Sequence, residues 1–189
     1  MWPVLAMALG VVLTTCDAVF HTRTKVLVYH YPAHGLSLFA YHPSSDVFAG
    51  FLALSVGVVS ISALAFRHAP AFPTRTTALL VAQFLFTYWL SGQVHSRWAM
   101  ALHVLFMTLW TAALFRFDAK QLHRVVAFSS LLGLAGPLIE GTYTTTGFFS
   151  YTAPNAYHVP IWLGAMYLNG ALGVVALTTK TQQWIGAAA

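Results

Sequence analysis

The chain has 189 residues, of which 58% are hydrophobic and only 7% charged, and its mean hydropathy is +0.70. Four acidic and nine basic residues cannot furnish a water-facing surface, because a soluble domain is roughly a quarter charged; lipid must be the solvent for most of the exterior. The net charge of +5 does not point to nucleic acid, since the basic residues stand singly at the ends of apolar runs, where interfacial anchors and topology signals belong.

Six apolar stretches predict helices near Trp2–Phe20, Asp46–Phe66, Thr76–Ser91, Trp98–Phe115, Val125–Glu140 and His158–Thr178. Each is within a few residues of the roughly 20 that cross a bilayer, the third and fifth being the shortest. Lipid offers no partner to backbone groups, so only helices or closed barrels can span, and strand-like alternation is absent. The expected fold is an all-α integral membrane protein, six transmembrane helices in one compact bundle, forming a single domain over residues 1–189. Arg67, Arg75, Arg116, Lys120, Arg124 and Lys180 fall on the side of the N-terminus, against Arg23, Lys25 and Arg97 on the other. The positive-inside rule then places both termini in the cytoplasm.

In the first span, the absence of a basic leading segment argues against a removable signal peptide. Cys16 reads as a small buried apolar residue; as the single cysteine it excludes an internal disulfide. Asp17 and His21 are four apart and share a helical face, as a proton-relay pair or, given their depth, more naturally as a helix-end pair at headgroup level. His30, His34 and His42 in the first loop lack tight ligand spacing, and beside Tyr29, Tyr31 and Tyr41 they read as an interfacial belt, so no metal is expected. Gln83 lies inside span three, while His95 and His103 flank span four. Hydrolase, metalloprotease and phosphate-loop signatures are missing, and Ser91, Ser129 and Ser130 read as helix serines bonding back to the backbone or packing as small residues. Gly10, Gly50, Gly57, Gly164, Gly170 and Gly173 read as close-packing sites.

Glu140 closes a run interrupted by Gly133, Gly136 and Pro137. Proline removes a helical hydrogen bond, and such a break is tolerated at membrane depth only where protein or a cavity satisfies the freed carbonyl. The carboxylate therefore faces either an internal polar cavity or the wet interface. The charge-free, hydroxyl-rich connector Gly141–Tyr157 that follows either caps such a cavity or is a plain interfacial loop.

Within that connector, Gly147–Pro154 reads GFFSYTAP, with Trp162 and Leu163 a short gap later. This resembles the end of the insulin-induced gene (Insig) proteins, which carry a G-V-Y-Q-Y-T-S-P segment, a Ser-Trp-Leu-Pro stretch and a glycine-bearing last helix. Leu114-Phe115-Arg116-Phe117-Asp118 resembles the family's Trp-Trp-Thr-Phe-Asp run, with Phe117 and Asp118 matching. The resemblance covers roughly Asp46 to the C-terminus and implies a short prokaryotic, mycobacterial-type homologue with six helices around a lipid-sized cavity. Animal members bind oxysterols and hold the sterol sensor Scap, and a similar bacterial fold is associated with diacylglycerol. The family's Q-F-L-V-Y-N stretch is replaced here by Glu140 to Thr146, so sterol specificity is not carried over.

The expected function is non-enzymatic binding of a neutral membrane lipid, diacylglycerol or sterol-like, in an intramembrane cavity, with no cofactor. Phe84, Leu85, Phe128 and Leu132 are the candidate walls, Glu140, Tyr143 and Thr144 the candidate polar end, and Tyr151 and Trp162 the candidates from the matched segment. Asp118 matches a family aspartate needed for Scap contact, or is simply a helix-end charge. Small residues suit a homo-oligomer such as a trimer. The membrane is the cell membrane, or the endoplasmic reticulum with a Scap-like partner if the source is eukaryotic. The rival readings are a small lipid-acting enzyme using Asp17 and His21, or His95, with Glu140, and a proton-coupled transporter using Glu140, although no internal repeat is visible.

Overall fold

A computed structural model describes residues 1–30, 45–94 and 96–187. Its helices are α1 (Trp2–Cys16), α2 (Ser45–Ala65), α3 (Thr74–Gln93), α4 (Ala99–Leu114), α5 (Ala119–Thr145) and α6 (Leu163–Ala187). Trp2–Thr22, α2 and α5, at 21, 21 and 27 residues, are long and apolar enough to cross a membrane, and α4 is a shorter apolar helix.

The bundle is arranged around α6, which is buried or half-buried from Leu163 through Gln182 and packs against α2, α3, α4 and α5. Each of the other helices buries only a stripe and leaves large apolar side chains such as Leu64, Leu134 and Met100 outward. A helix enclosed on all sides needs slim neighbours' contacts, because lipid supplies no hydrophobic drive between helices and packing depends on close approach. Gly164 and Gly170 supply it: a Cβ at Gly164 would stand 2.8 Å from the Gly133 carbonyl oxygen, and one at Gly170 2.9 Å from the Phe84 ring. Polar contacts add directional links between helices. Ser62 meets Thr178 at 2.7 Å, Gln83 donates to Asn169 at 2.6 Å, Asn169 donates to the Phe106 carbonyl at 3.0 Å, and Trp110 donates to Ser129 at 3.2 Å.

Span five differs from expectation. Instead of Val125–Glu140, α5 runs Ala119–Thr145, because Asp118 caps its start by accepting from Gln121 N–H at 2.8 Å and Pro137 does not end it. Pro137 frees the carbonyl of Gly133, and it is this carbonyl that faces Gly164 of α6. The first five residues of the expected connector are thus helical. Span six also shifts, to Leu163–Ala187: Pro160 precedes it, and Tyr157 and His158, with φ of 45° and 64°, form a left-handed turn incompatible with a helix starting at His158.

A two-stranded ribbon, absent from the sequence reading, joins distant segments. β1 (Leu27–Tyr29) pairs antiparallel with β2 (Phe149–Tyr151), Val28 opposite Ser150. Three residues per strand are too few for alternation to register as a pattern. The ribbon marks one end of the bundle, where α1, α3 and α5 finish and α6 begins. The opposite end carries the α2–α3 and α4–α5 loops, joined by Phe72 and Phe117 packed edge to face at 4.9 Å.

The glycines divide. Gly10, Gly164 and Gly170 are close-packing sites, whereas nothing lies within 4 Å of a Cβ built at Gly50 or Gly57.

Candidate functional site

The chemistry of the chain collects at the ribbon end. There α1 passes into a π-helical segment, Asp17–Thr22, in which Arg23 N–H reaches back to the Ala18 carbonyl at 3.0 Å and Val26 N–H to that of His21 at 2.9 Å. Such single turns carry a bulge in the helix and recur at functional sites. Gly92 of α3 lies so close to this turn that a Cβ there would overlap the Phe20 carbonyl. The turn carries Asp17 and His21 inward, 2% and 1% exposed, so the pair is enclosed by protein rather than lying on the surface of the bundle. The inward approach of α3, unreadable from one segment of sequence, is what encloses them.

His21 Nδ1 stands 3.8 Å from Asp17 Oδ1, and its Nε2 stands 2.8 Å from Ser91 Oγ on α3. Ser91 also donates to the Tyr88 carbonyl at 2.7 Å, the back-bonding expected of a helix serine. The imidazole stacks on Tyr88 at 4.5 Å and tilts against Trp162 at 5.7 Å. Asp17 Oδ2 accepts from Tyr29 of β1 at 3.0 Å and from Thr22 at 3.4 Å.

A second carboxylate adjoins the first group. Glu140, half-buried on α5, accepts through Oε1 from Tyr167 of α6 at 2.5 Å and through Oε2 from Tyr151 of β2. Trp162 links the groups, with Tyr151 packed edge-on to it at 6.5 Å on one side and His21 on the other. Burial, and next the Glu140 carboxylate, hold the Tyr151 phenol well above its ordinary pKa; burial and then Asp17 do the same for Tyr29. Both ribbon phenols therefore stay protonated and donate. Among the described residues no Lys or Arg forms an ion pair with either carboxylate.

Of the sequence candidates, Glu140, Tyr151 and Trp162 come together here. Phe84 reaches the group indirectly, edge-on to Tyr88 at 5.7 Å. Phe128 and Leu132 belong to the other half of the core, where Phe128 packs on Phe66 at 5.9 Å, and so stand apart from the carboxylates. Tyr143 is 55% exposed, and Thr144 donates to the Gly141 carbonyl at 2.7 Å. Asp118 lies at the loop end as the α5 cap. His103 contacts the Ile161 carbonyl at 3.1 Å. His34, His42, Tyr31, Tyr41 and His95 lie outside the described residues. Tyr167 escaped the sequence reading. Its signal was Gly136: a Cβ there would stand 2.6 Å from the Tyr167 ring, so this glycine, one turn ahead of Glu140, opens the slot that the ring fills.

An apolar cleft of about 480 Å³ lies between α3 and α4, lined by Leu90, Val94, Trp98, Ala101, Leu102 and Leu105, with Gln93 contributing the polar side chain. Its inner wall, Leu102, belongs to the packed cluster that contains Tyr151 and Trp162.

No family model matches the chain, and no curated protein matches it. Two solved structures do. MvINS, a mycobacterial Insig homologue from Mycobacterium vanbaalenii, superposes with a TM-score of 0.76 at 19% identity, over 94% of this chain and 92% of that one. A cross-linked MvINS trimer gives 0.75 at 21% identity, over 96% of this chain and 94% of that one. The chain has the Insig-homologue fold along nearly its whole length, in an integral membrane protein.

Proposed function

We propose that the protein is a short, non-enzymatic Insig-like membrane protein that binds a neutral lipid carrying one or two free hydroxyls, diacylglycerol or a sterol-like molecule. The observation that carries this reading is Glu140 held between the Tyr151 and Tyr167 hydroxyls at the ribbon end of an apolar bundle. A carboxylate has about four lone-pair sites, so two phenols leave acceptor capacity for a ligand hydroxyl. A second carboxylate, Asp17, raises the negative potential of the same region and disfavours an anionic headgroup, which would call for clustered Lys or Arg. The cleft beside α3 offers an apolar berth for the acyl or ring body, in keeping with pockets of mostly apolar wall and few polar groups. The protein belongs to the cell membrane, with both termini cytoplasmic by its basic-residue count, and self-associates as a trimer, as the cross-linked MvINS structure suggests by likeness of fold.

The test is mass spectrometry of lipids retained through purification, paired with thermal melts. Diacylglycerol or a sterol should co-purify and raise the melting temperature, as any ligand selective for the folded state does. Glu140→Gln should leave the protein folded and reduce retention. Recovery of bulk phospholipid only, with no melting shift from either class, would refute the reading.

One observation favours a second reading, a lipid-acting enzyme: Asp17, His21 and Ser91 stand in acid, base and hydroxyl order. Against it, Ser91 is 1% exposed with Met166 Sδ at 3.7 Å, which leaves no approach for an ester carbonyl. Covalent capture of Ser91 by a fluorophosphonate in lipid nanodiscs would revive it.

A further inference from the structure

The end opposite the ribbon holds an unbalanced charge. Six of the nine Lys and Arg residues are there: Arg67, Arg75, Arg116, Lys120, Arg124 and Lys180. Of the four acids only Asp118 accompanies them, and one of its oxygens caps α5. The ribbon end, by contrast, holds Arg23, Lys25 and Arg97 against Asp17, Asp46 and Glu140, which balance. The whole net charge of +5 therefore resides at the loop end. A preference for positive residues on one side fixes topology, but it does not require the acids to be segregated as well.

Packing gathers these cations rather than spreading them. Phe72 of the α2–α3 loop and Phe117 of the α4–α5 loop meet edge to face at 4.9 Å, so the arginines flanking them belong to one surface. Arg124 reaches the Ala65 carbonyl at 3.5 Å, and Gln182 donates to that of Ala63 at 2.9 Å, drawing the start of α5 and the last turns of α6 to the end of α2. Arg67, Arg75, Arg116, Lys120 and Arg124 are all exposed, and among the described residues none pairs with a carboxylate. Phe115, 88% exposed beside Arg116, places an aromatic ring at the same level.

We propose that the loop end is a binding surface for anionic phospholipid headgroups. Arg67 and Arg75 from one loop and Arg116, Lys120 and Arg124 from the other converge on the phosphates of the adjoining leaflet, and Phe115 inserts among the glycerol esters. Guanidinium forks match phosphate oxygens bidentately, and each cation near an anionic bilayer surface strengthens attachment by a similar increment. The neutral-lipid site at the ribbon end is separate, and this surface does not depend on it.

The experiment is native mass spectrometry of the full chain in detergent, titrated with equal phosphatidylglycerol and phosphatidylcholine. Phosphatidylglycerol adducts should dominate and should fall as salt rises. In R116Q/K120Q the preference should drop by roughly fivefold per charge removed. R23Q/K25Q, which removes charge at the ribbon end, should keep the preference and serves as the folding and net-charge control. Equal binding of the two lipids, or equal losses in the two variants, would overturn the proposal. Capture of polyglutamate without selective phosphatidylglycerol binding would overturn it as well, assigning the surface to an acidic protein.

Discussion

Glu140 illustrates how a single carboxylate can organise three elements, since its two phenol partners come from β2 and α6 while it stands on α5. Replacing it separates chemistry from structure. Glu140→Gln keeps a carbonyl acceptor and should change stability by less than about 1 kcal/mol, whereas Glu140→Leu strands two buried hydroxyls and should cost about 1–3 kcal/mol, as read from thermal melts. The ribbon phenols make a second prediction. Their pKa lies above the ordinary value of 10.0 in the folded protein, so between that value and the folded one the native state binds more protons than the unfolded state. Their contribution to stability is complete below pH 10.0 and declines as pH rises beyond it. Melts from pH 9 to 11 should show this decline, and Tyr151→Phe should flatten it. At this scale the sequence was legible where a residue violated its surroundings: Glu140 after Pro137 is an anomaly, and Tyr151 and Trp162 lie in the matched segment. Tyr167 was not, because an aromatic in an apolar helix looks like core until the glycine opposite it, Gly136, is known. Asp17 and His21 were visible as a pair but not as an enclosed one, because their burial depends on Gly92 of a helix some 70 residues later.

Elements were legible in number and less so in extent. Six helices follow from apolar runs, but α5 extends at both ends because Asp118 caps it and because α6 tolerates the carbonyl that Pro137 frees. A hydropathy run does not register a polar cap or a packed proline. The ribbon was illegible because its two short strands obtain their stability from each other over a long sequence separation, from Leu27 opposite Tyr151 to Tyr29 opposite Phe149. Helix contacts yield a paired prediction. Gly92→Ala drives a methyl into the Phe20 backbone and should abolish the native melt or lower stability by several kcal/mol. Gly50→Ala, with open space around it, should stay within about 0.5 kcal/mol of the parent.

For the molecule as a whole, the predicted orientation is checked by single cysteines introduced into a Cys16→Ala background. Lys120→Cys should react with an impermeant maleimide only from the cytoplasmic side, and Asn155→Cys only from the other; labelling of both from one side would contradict it. The placement of α6 at the centre has a consequence for biogenesis. Of the six helices, the one around which the rest are arranged is the last to be translated. Until it emerges, α3 and α5 lack their main partner, Gln83 lacks Asn169, and Glu140 lacks Tyr167. Insertion of the first five helices therefore yields a loose annulus in the bilayer, and its closure is a single late event. A nascent chain stalled on the ribosome before Leu163 should remain sensitive to protease and expose Cys16 to thiol reagents, both lost together once α6 is released.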